Sequence, residues 1–506
     1  GRSYLVEVVI RTIGMGHPFT QGTVDSNEVW VDFTAKSGGA IIGRSGALAR
    51  PDESGPVDEW AHRLNVLMLD RHGNRVNRRN PEDIFTPLYN HQIPPGAGHV
   101  VHYELNVPKD VKGPVELAVR VRYRKFDFEY LSLVYDGDDK VPKLPLVDLC
   151  ADRVMLPVEG VADTVAEQTS PIKPAWQRWN DYGIGCLIEG GAANKKGELR
   201  QAEEAFKALV KHYPKEAAGH AYLNLARVYE KEGRLPEAVQ VLEKAREAGA
   251  PWWTVAWFNG LVTLESASNR AGYDAAIATF KGILDPEKQP RERGFDFTKD
   301  YLVINALGRA LFERALKEVG NPAARDPFLL EAIEQYERTL HIDPENLDAH
   351  YGLHQCFRLL GRAMPKARTA EQAPATDEAA LQEMARTLLD GAADQTARVE
   401  AAAHLARAVT ALGAEPVSAT RPKRLRFEAL LPRIEAYFHR ENDAELKAAA
   451  AHVLDKLHQE MHAIFKPDDI AQSRAVQAHR AKHPAADHAA EPIVIYPLNR
   501  KGAPGF

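Results

Sequence analysis

Apolar and polar residues alternate with period two through the first part of the chain. Val115, Leu117, Val119, Val121 and Tyr123 fall on one face of an extended segment, and Glu116, Arg120 and Arg122 fall on the other. Val101, Tyr103, Leu105 and Val107 repeat the pattern, as do Val29, Val31 and Phe33, and Leu64, Val66 and Met68. Successive side chains of a strand point to opposite faces, so each run predicts a strand with one face in a core. Turn residues separate the runs: Asp70-Arg71-His72-Gly73-Asn74 and Pro94-Pro95-Gly96. Several short strands of this kind predict an antiparallel β-sandwich over residues 1–158. The chain opens inside a strand, Tyr4 to Thr12. A Gly-rich turn carrying His17 follows, then a second strand ending at Phe33. A domain that opens this way is expected to pack against something upstream.

Residues 159–175 lose all periodicity and contain two prolines, which predicts a linker. Beyond it the period becomes helical. Tyr222, Leu225, Ala226, Tyr229, Gly233, Ala238, Leu242 and Ala245 have the spacing of a helix–turn–helix repeat. They resemble the tetratricopeptide repeat of about 34 residues. An earlier unit uses Tyr182, Gly183, Ala202, Phe206 and Pro214. A third uses Trp257, Gly260, Ala276 and Phe280, and a fourth Leu307, Gly308, Ala332, Tyr336 and Pro344, with an insertion at Val319–Pro327. A half unit runs from Ala349 to Gly361. The repeat region is therefore set at 176–364, followed by a loop at 365–376. C-terminal helices and a docking tail, with the apolar run Ile493 to Tyr496, make up 377–506. One helix is expected over 377–413 and two over 423–464. The fold class is multidomain β plus α: a sandwich, a repeat solenoid and C-terminal helices.

The chain has 506 residues, 44% hydrophobic and 26% charged, with a net charge of −6. That length exceeds one core, and so small a charge gives no field for nucleic acid. No apolar run is long enough to span a bilayer as a helix. Cys150, Cys186 and Cys356 form no CxxC pair and no CxxCH haem-attachment run. GxSxG, Walker A, GxGxxG and HExxH motifs are absent from the sequence, so nothing marks an independent catalyst.

Several side-chain groups invite a chemical reading. His17 sits in a turn at a strand end, where an imidazole can reach a neighbouring domain. His99 and His102 are three apart on a strand, face opposite sides and read as surface or strand-edge residues. His458 and His462 share a helical face at a spacing that can hold a metal, but Gln459 stands where a zincin has glutamate. Asp136-Gly137-Asp138-Asp139 has part of a calcium loop without its other ligands, and reads as a hairpin turn. Trp252, Trp253 and Trp257 cluster at the start of the third repeat, as packing or as an anchor for a partner. Arg421, Lys423, Arg424 and Arg426 enter a helix as a basic run.

Taken in order, several segments resemble multihaem c-type cytochromes related to cytochrome c554. They are Gly16-His17-Pro18-Phe19 with Gly22, Asp25 to Trp30, Asn65 to Asp70, Gln92 to Gly96, Arg122 to Asp127, and His483 to Ala489 with Ile493 to Leu498. In such proteins a haem-bearing N-terminal region precedes a β-domain and tetratricopeptide repeats. The resemblance implies that this chain is the haemless part of an electron-transfer system. Haem c would then belong to an upstream region or a partner subunit, and none would attach to this chain. His17 is the candidate distal haem ligand. The implied partners are a haem-bearing domain or cytochrome subunit and proteins held by the repeats. The oligomeric state is open, and the implied location is periplasmic or extracellular. The alternative is an extracytoplasmic adaptor with no redox role.

Overall fold

The computed structural model describes residues 2–22, 26–160, 168, 172–190, 196–318, 320–363, 376–414 and 420–506. Most of the expected linker at 159–175 and nearly all of the expected loop at 365–376 lie outside these residues. In chain order the strands are β1 (Arg2–Arg11), β2 (Glu28–Ser37), β3 (Ala40–Ser45), β4 (Val66–Leu69), β5 (Thr86–Asn90), β6 (Gly98–Val107), β7 (Val115–Arg124), β8 (Val147–Leu156) and β9 (Ile495–Pro497). The helices before residue 250 are α1 (Phe128–Tyr135), α2 (Ala175–Gly190), α3 (Lys196–His212), α4 (Ala218–Lys231) and α5 (Leu235–Glu247). Then come α6 (Trp252–Ser266), α7 (Arg270–Ile283), α8 (Tyr301–Ala315), α9 (Pro322–Ile342), α10 (Leu347–Leu360) and α11 (Glu378–Leu389). Last are α12 (Gln395–Gly413), α13 (Thr420–Arg440), α14 (Ala444–Phe465), α15 (Asp469–Arg480) and α16 (Pro484–Ala489). The chain divides into two compact units, Gly1–Ala248 with Asp468–Phe506, and Gly249–Pro467.

Among the described residues, all the sheets lie in the first unit. β1 and β9 flank β6, antiparallel and parallel respectively, and β3-β2-β7-β8 form a second, antiparallel sheet. β4 pairs with β5. The period-two faces named above meet in one core: Val31 and Phe33 of β2, Val101, Tyr103 and Leu105 of β6, and Val115, Leu117 and Val121 of β7. The rings of Phe33 and Tyr103 lie 4.8 Å apart across it. Tyr496 and Leu498 of the tail are buried in the same core.

The opposite face of the β2–β7 pair is covered too. Trp30 packs there with Leu48, Val57 and Ala61, and its indole N–H donates to the Gly46 carbonyl at 2.9 Å. Gly46 has φ of +77°, and a Cβ there would stand 2.2 Å from the Val31 carbonyl oxygen, so only glycine closes this turn. On that face Asp32, 1% exposed, receives Arg44 at 2.5 Å, Arg120 at 3.0 Å and Arg122 at 3.2 Å.

Three of the four helix pairs share one device. A glycine on the first helix lies under an aromatic ring on the second, where a Cβ would meet the ring at 2.6 Å (Gly183 and Phe206), 2.6 Å (Gly260 and Phe280) or 2.9 Å (Gly308 and Tyr336). Alanine takes the small position in α4, where Ala226 is fully buried. The first two pairs, α2 with α3 and α4 with α5, belong to the first unit; α6 with α7 and α8 with α9 belong to the second.

Three expectations change. The insertion expected at Val319–Pro327 is largely the first turns of α9, which begins at Pro322 with Asn321 as its cap. The single helix expected over 377–413 is two, because α11 ends at Leu389 and Asp394 caps a new start at α12. Asp136-Gly137-Asp138-Asp139 is no hairpin turn. Asp136, at φ 56°, closes α1 in the left-handed conformation, and Asp138–Lys140 make a 3-10 turn.

Candidate partner-binding and histidine sites

His17 lies exposed in the turn after β1. The turn is anchored beyond it: Phe19 bridges to Ile93, and the Thr20 hydroxyl donates to the Leu64 carbonyl at 2.9 Å. His17 Nδ1 stands 3.0 Å from the Pro18 carbonyl oxygen. A ring nitrogen against a carbonyl must be the donor, so in the neutral ring Nε2 is the nitrogen with the lone pair.

The three tryptophans separate. Trp257 turns into the repeat, 6.0 Å from the Phe280 ring. Trp252 is 42% exposed, with its edge toward half-buried Trp253 at 6.0 Å. Phe295, 45% exposed, approaches Trp253 at 6.1 Å and stacks on Phe297 at 5.8 Å. The sequence spacing gave no sign of these two phenylalanines, which lie over forty residues further on.

His99 and His102 do not read as surface residues in the structure. His102 is buried and His99 half-buried, because α2 and α3 cover β6. They do not converge on one partner. His99 joins a stack with His62 and His91, at ring distances of 4.9 Å (His62–His99) and 4.7 Å (His62–His91), and Tyr89 extends it at 4.2 Å from His91. A hydrogen-bonded row runs through the same rings. Tyr496 Oη lies 3.1 Å from His62 Nδ1, His62 Nε2 lies 2.9 Å from His99 Nε2, and His99 Nδ1 lies 3.3 Å from Glu189. Burial, then the charges of His91, His99 and His102, holds His62 well below the usual imidazole range. Burial also pushes His102 down, but the hydrogen bond to Glu7 and the charges of Glu198 and Glu189 outweigh it and raise the ring. These residues come from widely separate stretches of the chain, so no local motif could have announced them.

His458 and His462 do not act together either. His458, fully buried, faces His350 at 3.0 Å (Nδ1 to Nδ1) and Glu435 at 3.4 Å, whereas the His462 ring lies 5.5 Å from Tyr351. Among the described residues no group of three or more His, Cys, Asp and Glu side chains could hold a metal ion. Of the basic run, Arg424 bridges Glu345 at 2.8 Å and Glu428 at 2.7 Å and lies over the Phe465 ring. Arg426 donates to the Thr376 carbonyl. The side chains of Arg421 and Lys423 lie outside the described residues. Among those residues, no helix is long and apolar enough to cross a membrane.

Comparison with known proteins bears on the helices. Residues 193–255 match the family model of the tetratricopeptide repeat. No curated protein matches the chain. Among solved structures, the crystal structure of MamA is similar at 16% identity with a TM-score of 0.24, over 42% of this chain and 89% of that one. The chain thus has a strand-rich N-terminal part and a helical region containing tetratricopeptide repeats, and repeats of this kind bind protein partners.

Proposed function

We propose that this chain is a scaffold whose repeats hold a protein partner in extended form. The observation that carries the reading is the match of residues 193–255 to the repeat family, within a tandem of helix pairs of which three are closed by a ring over a glycine. In this reading the two sheets sharing one core form a sandwich and the helix pairs a solenoid. Trp252 and Trp253 are the partner anchors, since half-exposed tryptophans combine large area with little rotamer entropy to lose. A peptide-display selection on the full chain, followed by fluorescence anisotropy on the selected peptides, tests it. Replacing Trp252 and Trp253 together by alanine should weaken the bound peptides by about tenfold or more. Recovery of no specific peptide would overturn the scaffold reading, and undiminished affinity in the double variant would remove the tryptophans.

A second reading places the chain in a periplasmic or extracellular multihaem electron-transfer system, with haem c on an upstream region or a partner subunit. His17 supports it, being exposed with Nδ1 held by a carbonyl, the arrangement that orients an imidazole for iron. Haem would supply one-electron transfer, and His17 would offer Nε2 as a distal ligand. In the haem-containing assembly, His17→Met should raise the potential of one haem and alter its low-spin spectrum. Redox titrations and spectra identical to those of the unchanged protein would remove His17 from the ligands.

A further inference from the structure

Where the three-stranded sheet meets the first repeats, backbone touches backbone. A Cβ on Gly98 would stand 2.4 Å from the Asp181 carbonyl oxygen, and one on Gly185 2.6 Å from Val100 Cγ2. The contact of β6 with α2 is therefore close and leaves little room for sliding. Beside it opens a cavity of about 320 Å³, walled by Arg11 and Gly96 from the sheet side and by residues of α2 and α4. That volume lies at the low end of small ligand sites, about 300–1,000 Å³.

Its hydrogen-bonding capacity can be read because arginines fix the amides. Arg227 donates to Asn224 Oδ1 at 3.0 Å, so the Asn224 amide nitrogen must face Asn180, to whose Oδ1 it donates at 3.1 Å. Arg11 donates to Gln177 Oε1 at 2.9 Å. An arginine cannot accept, so neither row can be flipped. The amide oxygens of Gln177, Asn180 and Asn224 thus each accept one hydrogen bond already, while the NH₂ groups of Gln177 and Asn180 keep donors for a ligand. Arg11 Nε is buried without a hydrogen-bond partner among the described residues, whereas Asp181 Oδ2 is ion-paired with Arg11 Nη1. Asp181 and Arg11 are 3.1 Å apart, so the pair carries no net charge. The rings of Trp176 and His220, stacked at 5.4 Å and 16°, line it as an aromatic wall.

We propose that this cavity receives an uncharged peptide unit with an aromatic side chain: its carbonyl oxygens take the free amide donors, its N–H faces Asp181, and its ring lies on the Trp176–His220 wall. The proposal deepens the scaffold reading by naming what one part of the partner must present. A carboxylate ligand would bring an uncompensated charge beside a pair that is already neutral, and a ligand with donors alone would leave the amide hydrogens unmet.

The test uses the full chain labelled with 5-fluorotryptophan, the Trp176 resonance being identified by its loss in Trp176→Phe. The probe is N-acetyl-glycyl-tyrosinamide, compared with its free acid. The amide should shift the Trp176 resonance saturably, and the acid should bind more weakly. Asn180→Ala with Gln177→Leu should weaken the amide by about fivefold or more, as expected for two lost hydrogen bonds. An unmoved Trp30 resonance in that variant shows that the fold is intact. No shift up to the solubility limit, equal binding of the acid, or unchanged binding in the double variant would each overturn the proposal. Should displayed peptides bind the chain yet leave Trp176 unmoved, the scaffold reading stands and this cavity is not its site.

Discussion

Glu28→Ala should lower the stability of the strand-bearing unit by about 3–5 kcal/mol, the cost of leaving buried charges without their partner. Glu28 opens β2 and is 4% exposed. Arg63 reaches its Oε1 at 2.7 Å, and Arg124, directly opposite on β7, binds its Oε2 through Nε at 3.0 Å and also through a terminal nitrogen. Burial pushes the Glu28 carboxyl up, but the two guanidiniums outweigh it and hold the group below the usual carboxylate range. Removing the carboxylate strands Arg124, itself 4% exposed and left with the Gly55 carbonyl. Hydrogen exchange of peptides from β2 and β7 at neutral pH reads the loss. An exposed pair sets the scale: Glu243→Ala removes the partner of Arg246, both more than half exposed, and should leave stability nearly unchanged. Equal effects of the two substitutions would mean that Glu28 is in practice solvated.

How far the sequence carries depends on the range of the interaction. Period two marks the strands because each presents one face to the core, as Val31, Phe33, Val101 and Tyr103 do. The spacing of Gly183 from Phe206, and of Gly260 from Phe280, survives folding because both partners lie within one helix pair. The same alternation was silent about the second face of β7. Arg122 and Arg124 are buried there because residues 46–65 fold over them, which no local pattern encodes. Helix α15 escaped notice because it buries only Ala475 and His479, too short an apolar stripe to show a period. The rows of histidine were hidden for a further reason. Buried imidazoles are made by convergence, and His62, His91, His99 and Tyr496 have nothing in common until the sheets close.

Acid should destabilise the second unit well above the range where carboxylates titrate, and His350 should account for about 2 kcal/mol of the loss between pH 7 and pH 5. His350, on α10, is 2% exposed. Its Nε2 lies 3.0 Å from the Pro344 carbonyl oxygen and its Nδ1 3.0 Å from His458 Nδ1, with the Phe465 ring stacked at 5.5 Å. Burial, then the charge of His458, pushes His350 down to about 3, although the Pro344 carbonyl works the other way. The unfolded chain takes up this proton near pH 6.5. Above that value both states are neutral and the group costs nothing. Below it the unfolded state binds a proton that the folded state refuses, so stability falls steadily as pH drops toward about 3. His452 and His462, also lowered by burial, push the same way. His439, raised mainly by its hydrogen bond to Glu337, opposes them. Asp455 is held below the ordinary carboxylate range, so it stays ionised throughout the pH window. The comparison that isolates His350 is therefore His350→Gln, which keeps a donor for the Pro344 carbonyl and cannot titrate. Hydrogen exchange of peptides from α10 and α14, converted to free energy at pH 7 and pH 5, should show a shallower fall in the variant by about 2 kcal/mol. Parallel falls in both proteins would mean that His350 protonates in the fold as readily as in the unfolded chain, and that its burial among His458, Phe465 and the Pro344 carbonyl does not exclude the charge.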